Sequence, residues 1–467
     1  MKKIAILVDN SLRDLLPSRL LQEEFNKKGF KAYLFNKRNI IPFLLYLEPD
    51  ACIFSRGDYP NLEEIGRSCK LFIVPSEGGR LTAETMKSVF YGRMHEGIKV
   101  DMNGKKMETN FDHISKVYLW GKTTYDFLLS GSLFNKNQLK TVGNGRMDVY
   151  LNSYSAKKKT IDKVVGIAIS IKSLSVYYGQ YSWIKRMYDR FSAREASQFP
   201  MVPVGRDYED FVWRDLYIAR KAVESILVIL RTTNHKIHIR VGPFENPKDY
   251  LFLQKKYPNR IIIRPRSESM YEFIDGIDTM LTCWSTSGLE SIVMGIPVVS
   301  IAFLGDYDHL ISHVDERANG FDTFLKIYHT PKSLDQLIDL VNLGVEGKLE
   351  CVQDLEFANN FMKDVYNFPS DITATKAIVE DIVGEFSNYV ANPKAMRENL
   401  SIDNKVLKFL NRYTLIFHKE VFYLINKMYL LKYFIKDLFS GSYYSNKMHY
   451  ALQNKNIDRF IMRHFKK

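Results

Sequence analysis

Residues 278–301 read DTMLTCWSTSGLESIVMGIPVVSI. The segment opens on an apolar run and closes on PVVSI, and short apolar runs bounded by turn residues suit fully buried parallel strands. Between the runs, Leu289, Ile292 and Val293 fall at i, i+3, i+4 spacing, one face of a helix. Gly295-Ile296-Pro297 ends that helix and starts the next strand. The unit is strand, turn, helix, strand, the repeat of a doubly wound α/β sheet. Ser285, Thr286 and Ser287 fall where the helix begins. A helix start offers unpaired N–H groups and partial positive charge, so it suits an anion. Gly288 would let a ligand approach the backbone, and Glu290, one turn in, could accept from a ribose hydroxyl. The plainer alternative is a capping serine and a carboxylate that only favours the dipole, adding under ~1 kcal/mol to folding.

The same alternation extends outward in both directions. KIAILV, KAYLFN, ACIFS, KLFIVP, KVYLWG and LKTVGN read as strands, with helices at RDLLPSRLLQEEFNKKG, NLEEIGRSC, AETMKSVFYGRM and TTYDFLL. A polar, lysine-rich break over 152–163 resembles a linker, and the alternation restarts. VVGIAIS, KIHIRV, RIIIRP, DTMLTC and PVVSI are the strands of the second block, which ends near residue 385. Expected is an α/β arrangement of two doubly wound, Rossmann-like domains, over 1–155 and 160–390, facing a cleft at the carboxyl ends of their strands. Neither block has G-x-G-x-x-G after its first strand, which disfavours a dinucleotide cofactor.

Of the net charge of +13, a net +9 lies in residues 401–467, which hold thirteen Lys and Arg against four Asp and Glu. A uniformly basic fold would suggest nucleic acid; a basic tail on a near-neutral body suggests a tether, and no nucleic-acid partner is expected. Over 395–467 the tail interleaves aromatics and aliphatics with Lys and Arg at helical spacing. It reads as an interfacial helix on the inner face of the cytoplasmic membrane, or as helices packed on protein. No 18-residue apolar run and no secretory leader is evident, and a cytoplasmic chain peripheral to the membrane is expected. Cys52, Cys69, Cys283 and Cys351 have no metal-ligand spacing, so no metal is expected.

Four segments in order resemble the bacterial surface carbohydrate (capsule and lipopolysaccharide) biosynthesis proteins, glycosyltransferase-like chains of GT-B architecture. They are LRDLLPSRLLQEEFNKKG with Arg13 and Asp14; VPSEGGR with Glu77 and Gly78; LWGKTTYDFLL followed by VGNGRMDVY with Gly143, Asn144, Arg146 and Asp148; and STSGLESIVMGIPVV. The likeness covers roughly residues 1–310. Two departures stand out: Asn-Gly-Arg where the family has Asn-Pro-Arg, and Arg240-Val241-Gly242-Pro243 where it has Arg-x-His-Pro. The resemblance implies a metal-independent glycosyltransferase without a cofactor. Its donor would be a nucleotide-sugar, with a CMP-linked 3-deoxy-ulosonic acid one candidate, and its acceptor a glycan or lipid-linked chain. Ser285–Ser287, Gly288 and Glu290 would hold the donor with Arg240, Arg264 and Arg266, arginines after strands that suit a phosphate. Glu77, in a Gly-rich loop after a strand, would be the catalytic carboxylate, with Asp9 competing for that role. Alternatives within the fold are a nucleotide-sugar 2-epimerase, a polyol-phosphate transferase and a degenerate scaffold in an assembly complex.

Overall fold

The computed structural model describes residues 1–9, 11–36, 40–57, 59, 61–76, 94–95, 98–100, 106–107, 111–130, 134–151, 163–168, 221–241, 247–265, 268–283, 285–301 and 320–386. Strands β1 (Lys3–Val8), β2 (Lys31–Asn36), β3 (Ala51–Phe54) and β4 (Lys70–Ile73) alternate with helices α1 (Ser11–Lys27), α2 (Ile40–Leu47) and α3 (Leu62–Ser68). A small antiparallel sheet follows, β5 (Met94–His95), β6 (Ile98–Val100) and β7 (Lys106–Met107). Then come β8 (Lys116–Leu119), α4 (Lys122–Ser130), β9 (Leu139–Thr141) and α5 (Asp148–Leu151). The large sheet is parallel, in the order β2-β1-β3-β4-β8-β9.

The second block runs β10 (Val164–Ile167), α6 (helical over 221–232), β11 (Lys236–Arg240), α7 (Leu251–Lys256) and β12 (Ile261–Arg264). It continues with α8 (Met270–Asp275), β13 (Thr279–Thr282), α9 (Thr286–Val293) and β14 (Val298–Ser300). Four helices close it: α10 (Gly320–Ile327), α11 (Leu334–Val345), α12 (Leu355–Tyr366) and α13 (Ala374–Glu385). Its sheet, also parallel, is ordered β12-β11-β10-β13-β14. β3, β10 and β13 are buried at every position, as strands covered on both faces must be, whereas β12, last in its sheet, exposes Ile262. Two doubly wound α/β domains, the GT-B-like arrangement, are therefore present. Of the expected helix over 83–94 only Met94 is described, and it begins β5 instead; the tail at 395–467 lies outside the described residues.

The expected boundary at 155–160 lies outside the described residues, and the last described helix, expected in the second domain, packs on the first sheet. Ile378, Val379, Ile382 and Phe386 pack in one core with Ile4, Ile6, Leu21, Phe25 and Tyr118. The last described helix thus covers the first sheet, on the face it shares with α1. Charge pairing explains the placement. Asp381 accepts from Lys116 Nζ at 2.8 Å, Tyr118 Oη at 2.8 Å and Lys140 Nζ at 2.5 Å. Glu385 accepts from Lys116 at 2.9 Å and Lys70 at 3.0 Å. Burial pushes the Asp381 carboxyl up, but its three donors outweigh that and hold it below the usual carboxylate range. At the other end of α13 the buried Asp148 carboxylate accepts from the backbone N–H groups of Ala374 at 2.9 Å and Thr375 at 2.8 Å. It meets two of the unpaired donors of a helix start. Burial nevertheless pushes its carboxyl up to about 6.

The two domains also share a core. Leu20, Trp120, Met147 and Tyr150 of the first block pack in one cluster with Phe273, Leu289, Tyr328, Phe361 and Tyr366 of the second. Trp120 stacks on Tyr366 with ring centroids 5.5 Å apart, and its Nε1 donates to Pro75 O at 2.8 Å.

Candidate functional site

In the second sheet the strand order reverses between β10 and β13, and ligands of open α/β sheets bind outside the carboxyl ends at such a switch point. The chain leaving β13 turns there into α9, so the opening segment starts its helix at the switch point. Thr282 Oγ1 donates to Ala168 O at 3.0 Å and ties the two strand ends together. In the first sheet the reversal lies between β1 and β3, and Asp9, half-buried, directly follows β1.

The hydroxyls at the start of α9 serve first as a cap. Ser285 Oγ accepts from Ser287 N–H at 3.3 Å and from Ser287 Oγ at 2.8 Å. Ser285 and Thr286 remain half-buried while Ser287 is buried. Gly288 has a different role from the one expected. A Cβ on it would lie 2.6 Å from Cζ and Oη of Tyr328, whose hydroxyl donates to Ser285 O at 2.9 Å. The glycine admits a tyrosine ring against the helix, so the close approach is made by protein and not by a ligand.

Glu290 is 2% exposed. Its Oε1 accepts from Arg146 Nη2 and its Oε2 from Tyr150 Oη at 2.7 Å. Both bonds cross from the first domain: Arg146 stands in the Asn-Gly-Arg turn after β9, and Tyr150 in α5. The turn is stiffened locally, since Asn144 Oδ1 accepts the Arg146 backbone N–H at 2.9 Å and Gly143 takes φ +99°. The carboxylate expected to face ribose is thus held between the domains. As a buried residue it also departs from the expectation of a first-turn acid with little weight in folding. Burial drives the Tyr150 hydroxyl well up, and the Glu290 charge adds to this.

Of the expected phosphate-binding arginines, Arg264 forms a fork with Glu268, its Nε lying 3.0 and 2.9 Å from the two carboxylate oxygens. That pairing raises its pKa further. Arg240, at the carboxyl end of β11, differs. Its Nε is buried without a hydrogen-bond partner among the described residues. Burial lowers its pKa, with Glu268, Glu290, Tyr150 and Glu272 opposing. A buried guanidinium N–H left unbonded costs about 1–3 kcal/mol, which an anionic ligand oxygen would recover.

Asp14 is buried in the first turn of α1, while nothing of the Arg13 side chain is described. Glu77, Gly78 and Arg266 lie outside the described residues. Pro75, two residues before Glu77, is anchored through the Trp120 bond. Sequence reasoning missed Tyr150, Tyr328 and Tyr366, which surround Glu290 and Ser285 from distant elements; only the Tyr in RMDVY, beside a quoted motif, carried a local signal. Tyr366 Oη is buried without a partner among the described residues. Among the described residues no group of three His, Cys, Asp or Glu could hold a metal ion, and no helix is long and apolar enough to cross a membrane. Cys52, Cys69 and Cys283 are buried, the first two with sulfurs 3.5 Å apart.

No protein-family model matches the chain, and no curated protein sequence matches it. Among solved structures it is similar to a Listeria monocytogenes protein provisionally described as a UDP-N-acetylglucosamine 2-epimerase, at 12% identity and TM-score 0.47 over 84% of this chain and 98% of that one. It is also similar to S. aureus MnaA with UDP, at 14% identity and TM-score 0.46 over 83% and 98%. A third is the wall teichoic acid polymerase TagF, at 12% identity and TM-score 0.46 over 86% and 90%. At these scores the likenesses say nothing of chemistry, and the fold rests on the two sheets themselves.

Proposed function

We propose that the protein is a metal-independent glycosyltransferase of bacterial surface polysaccharide synthesis. It would take a nucleotide-activated sugar at the switch point of the second domain, with a CMP-linked 3-deoxy-ulosonic acid as one donor. The observation that carries this reading is Arg240, half-buried at the carboxyl end of the second sheet, whose buried Nε has no hydrogen-bond partner among the described residues. Beside that sheet end stands a helix start whose Ser285 and Thr286 remain accessible. The acceptor, a glycan or lipid-linked chain, would meet the first domain, where Asp9 and Glu77 are the carboxylates to be weighed. In a thermal-shift panel of CMP, CDP, UDP and GDP, one nucleotide is expected to raise Tm, because a ligand that binds only the native state stabilises it. Arg240→Ala should then weaken binding of that nucleotide by roughly ten- to hundredfold. Unchanged affinity in a folded variant removes Arg240 from the site.

The scaffold reading has one observation in its favour: Arg264 is already neutralised by Glu268. A panel in which no nucleotide shifts Tm selects it. Attachment to the inner membrane surface rests on the charge and aromatic content of residues 395–467. Flotation with anionic vesicles at low salt should carry the full-length chain upward and leave a chain truncated near residue 395 behind. A full-length chain that stays at the bottom removes the membrane from the proposal.

A further inference from the structure

The Glu290 carboxylate stands one turn inside α9 at the switch point, yet among the described residues both hydrogen bonds it takes come from the other domain. A carboxylate accepts only, so it suits the adjacent hydroxyls of a sugar ring, the groups a nucleotide would bring to this helix start. At 2% exposure Glu290 offers those hydroxyls no open approach. Arg146 and Tyr150 must yield first. Arg146 can do so at modest cost, because its side chain is 22% exposed and has water within reach. Tyr150 lies wholly within the shared core, so the release of its hydroxyl means a shift of α5 against α8 and α9.

We propose that Arg146 and Tyr150 form an interdomain latch that competes with the ribose of a nucleotide for the Glu290 carboxylate, so that nucleotide binding and parting of the domains are one equilibrium. The proposal rests on the nucleotide-site reading above. In the latched state Glu290 is satisfied by protein, and apparent affinity is lowered by the fraction of molecules in that state. When the latch is released, the carboxylate is free to accept from a vicinal diol, and the first domain loses its polar hold on α9. A latch of this kind keeps an empty site shut and makes the ligand the agent of opening.

Tyr150→Phe tests the proposal, since it removes one hydroxyl and keeps the ring in the shared core. Two readouts are taken on the full chain: hydrogen exchange at 286–293 without nucleotide, and calorimetric affinity for CMP, CDP and UDP. Faster exchange together with affinity roughly tenfold tighter than wild type is expected, the scale of one bond to a charged group. Arg146→Gln, which weakens the other bond, should move both readouts the same way and serves if the tyrosine variant folds poorly. Unchanged exchange overturns the latch. Faster exchange with equal or weaker affinity makes the contact purely structural and overturns the competition. If the wild type binds nucleotide and the variants bind it equally, the latch fails alone. If neither wild type nor variants bind any of the three while exchange still rises, the nucleotide reading fails as well.

Discussion

Arg146→Ala should destabilise the protein by about 3–5 kcal/mol, because it leaves the Glu290 carboxylate, 2% exposed, with the Tyr150 hydroxyl as its one remaining partner among the described residues. The reverse truncation should cost less. Glu290→Ala leaves a guanidinium that is 22% exposed and can turn to water, so about 1–3 kcal/mol is expected. The order matters more than either value, since it follows from which partner is sealed in. Urea unfolding of both variants, followed by circular dichroism, reads it directly. If Glu290→Ala proves the more harmful, or both cost under ~1 kcal/mol, the pair is a surface contact and the shared interface is drawn wrongly.

Gly121→Ala should be at least as damaging, with a loss of about 3 kcal/mol or more. A Cβ there would lie 2.2 Å from Asp364 O and 2.5 Å from the Val365 carbonyl carbon. These are backbone atoms of α12, and they cannot swing aside as a side-chain tip can. Room for the methyl group requires α12 to lift from the start of α4, breaking the Trp120–Tyr366 stack. Gly29→Ala is the control. It sits at φ +82° with nothing within 4 Å of its Cβ, so it meets only the cost of a left-handed residue, about 1 kcal/mol. Thermal unfolding of the two variants should separate them by several degrees. Equal Tm values would mean that α12 does not pack on the Trp-Gly turn.

Gly121 and Gly288 show where reading a sequence succeeds and where it runs out. Both stood out in the chain, one in a Trp-Gly pair and one in a hydroxyl-rich turn. Both are glycines because something comes too close for a side chain. What comes close is α12 in one case and Tyr328 in the other, elements 243 and 40 residues away. Glu290 repeats the lesson. Its spacing from Ser287 signalled a helix start, and the helix is there, but its partners are Arg146 and Tyr150 across the domain boundary. The charges of α13 were visible too, though their match to Lys70, Lys116 and Lys140 was not.

The sequence by itself determined the strands of the two parallel sheets, most of the helices between them and the parallel sense of both sheets. Those features are local: they follow from apolar runs of strand length, 3.6-residue periodicity and turn residues, each legible within about 20 residues. The helix over 40–47 escaped because IIPFLLYL is apolar on every side, which leaves no periodicity to distinguish it from a strand. Only the tertiary structure decided that the last helix packs on the first domain, that the two domains share a core, and that the carboxylate one turn into α9 is held by the opposite domain. Those outcomes depend on which buried charges find partners across hundreds of residues. An unpaired charge in a sealed interface costs several kcal/mol, more than any local propensity can supply, so long-range pairing overrides the local signal.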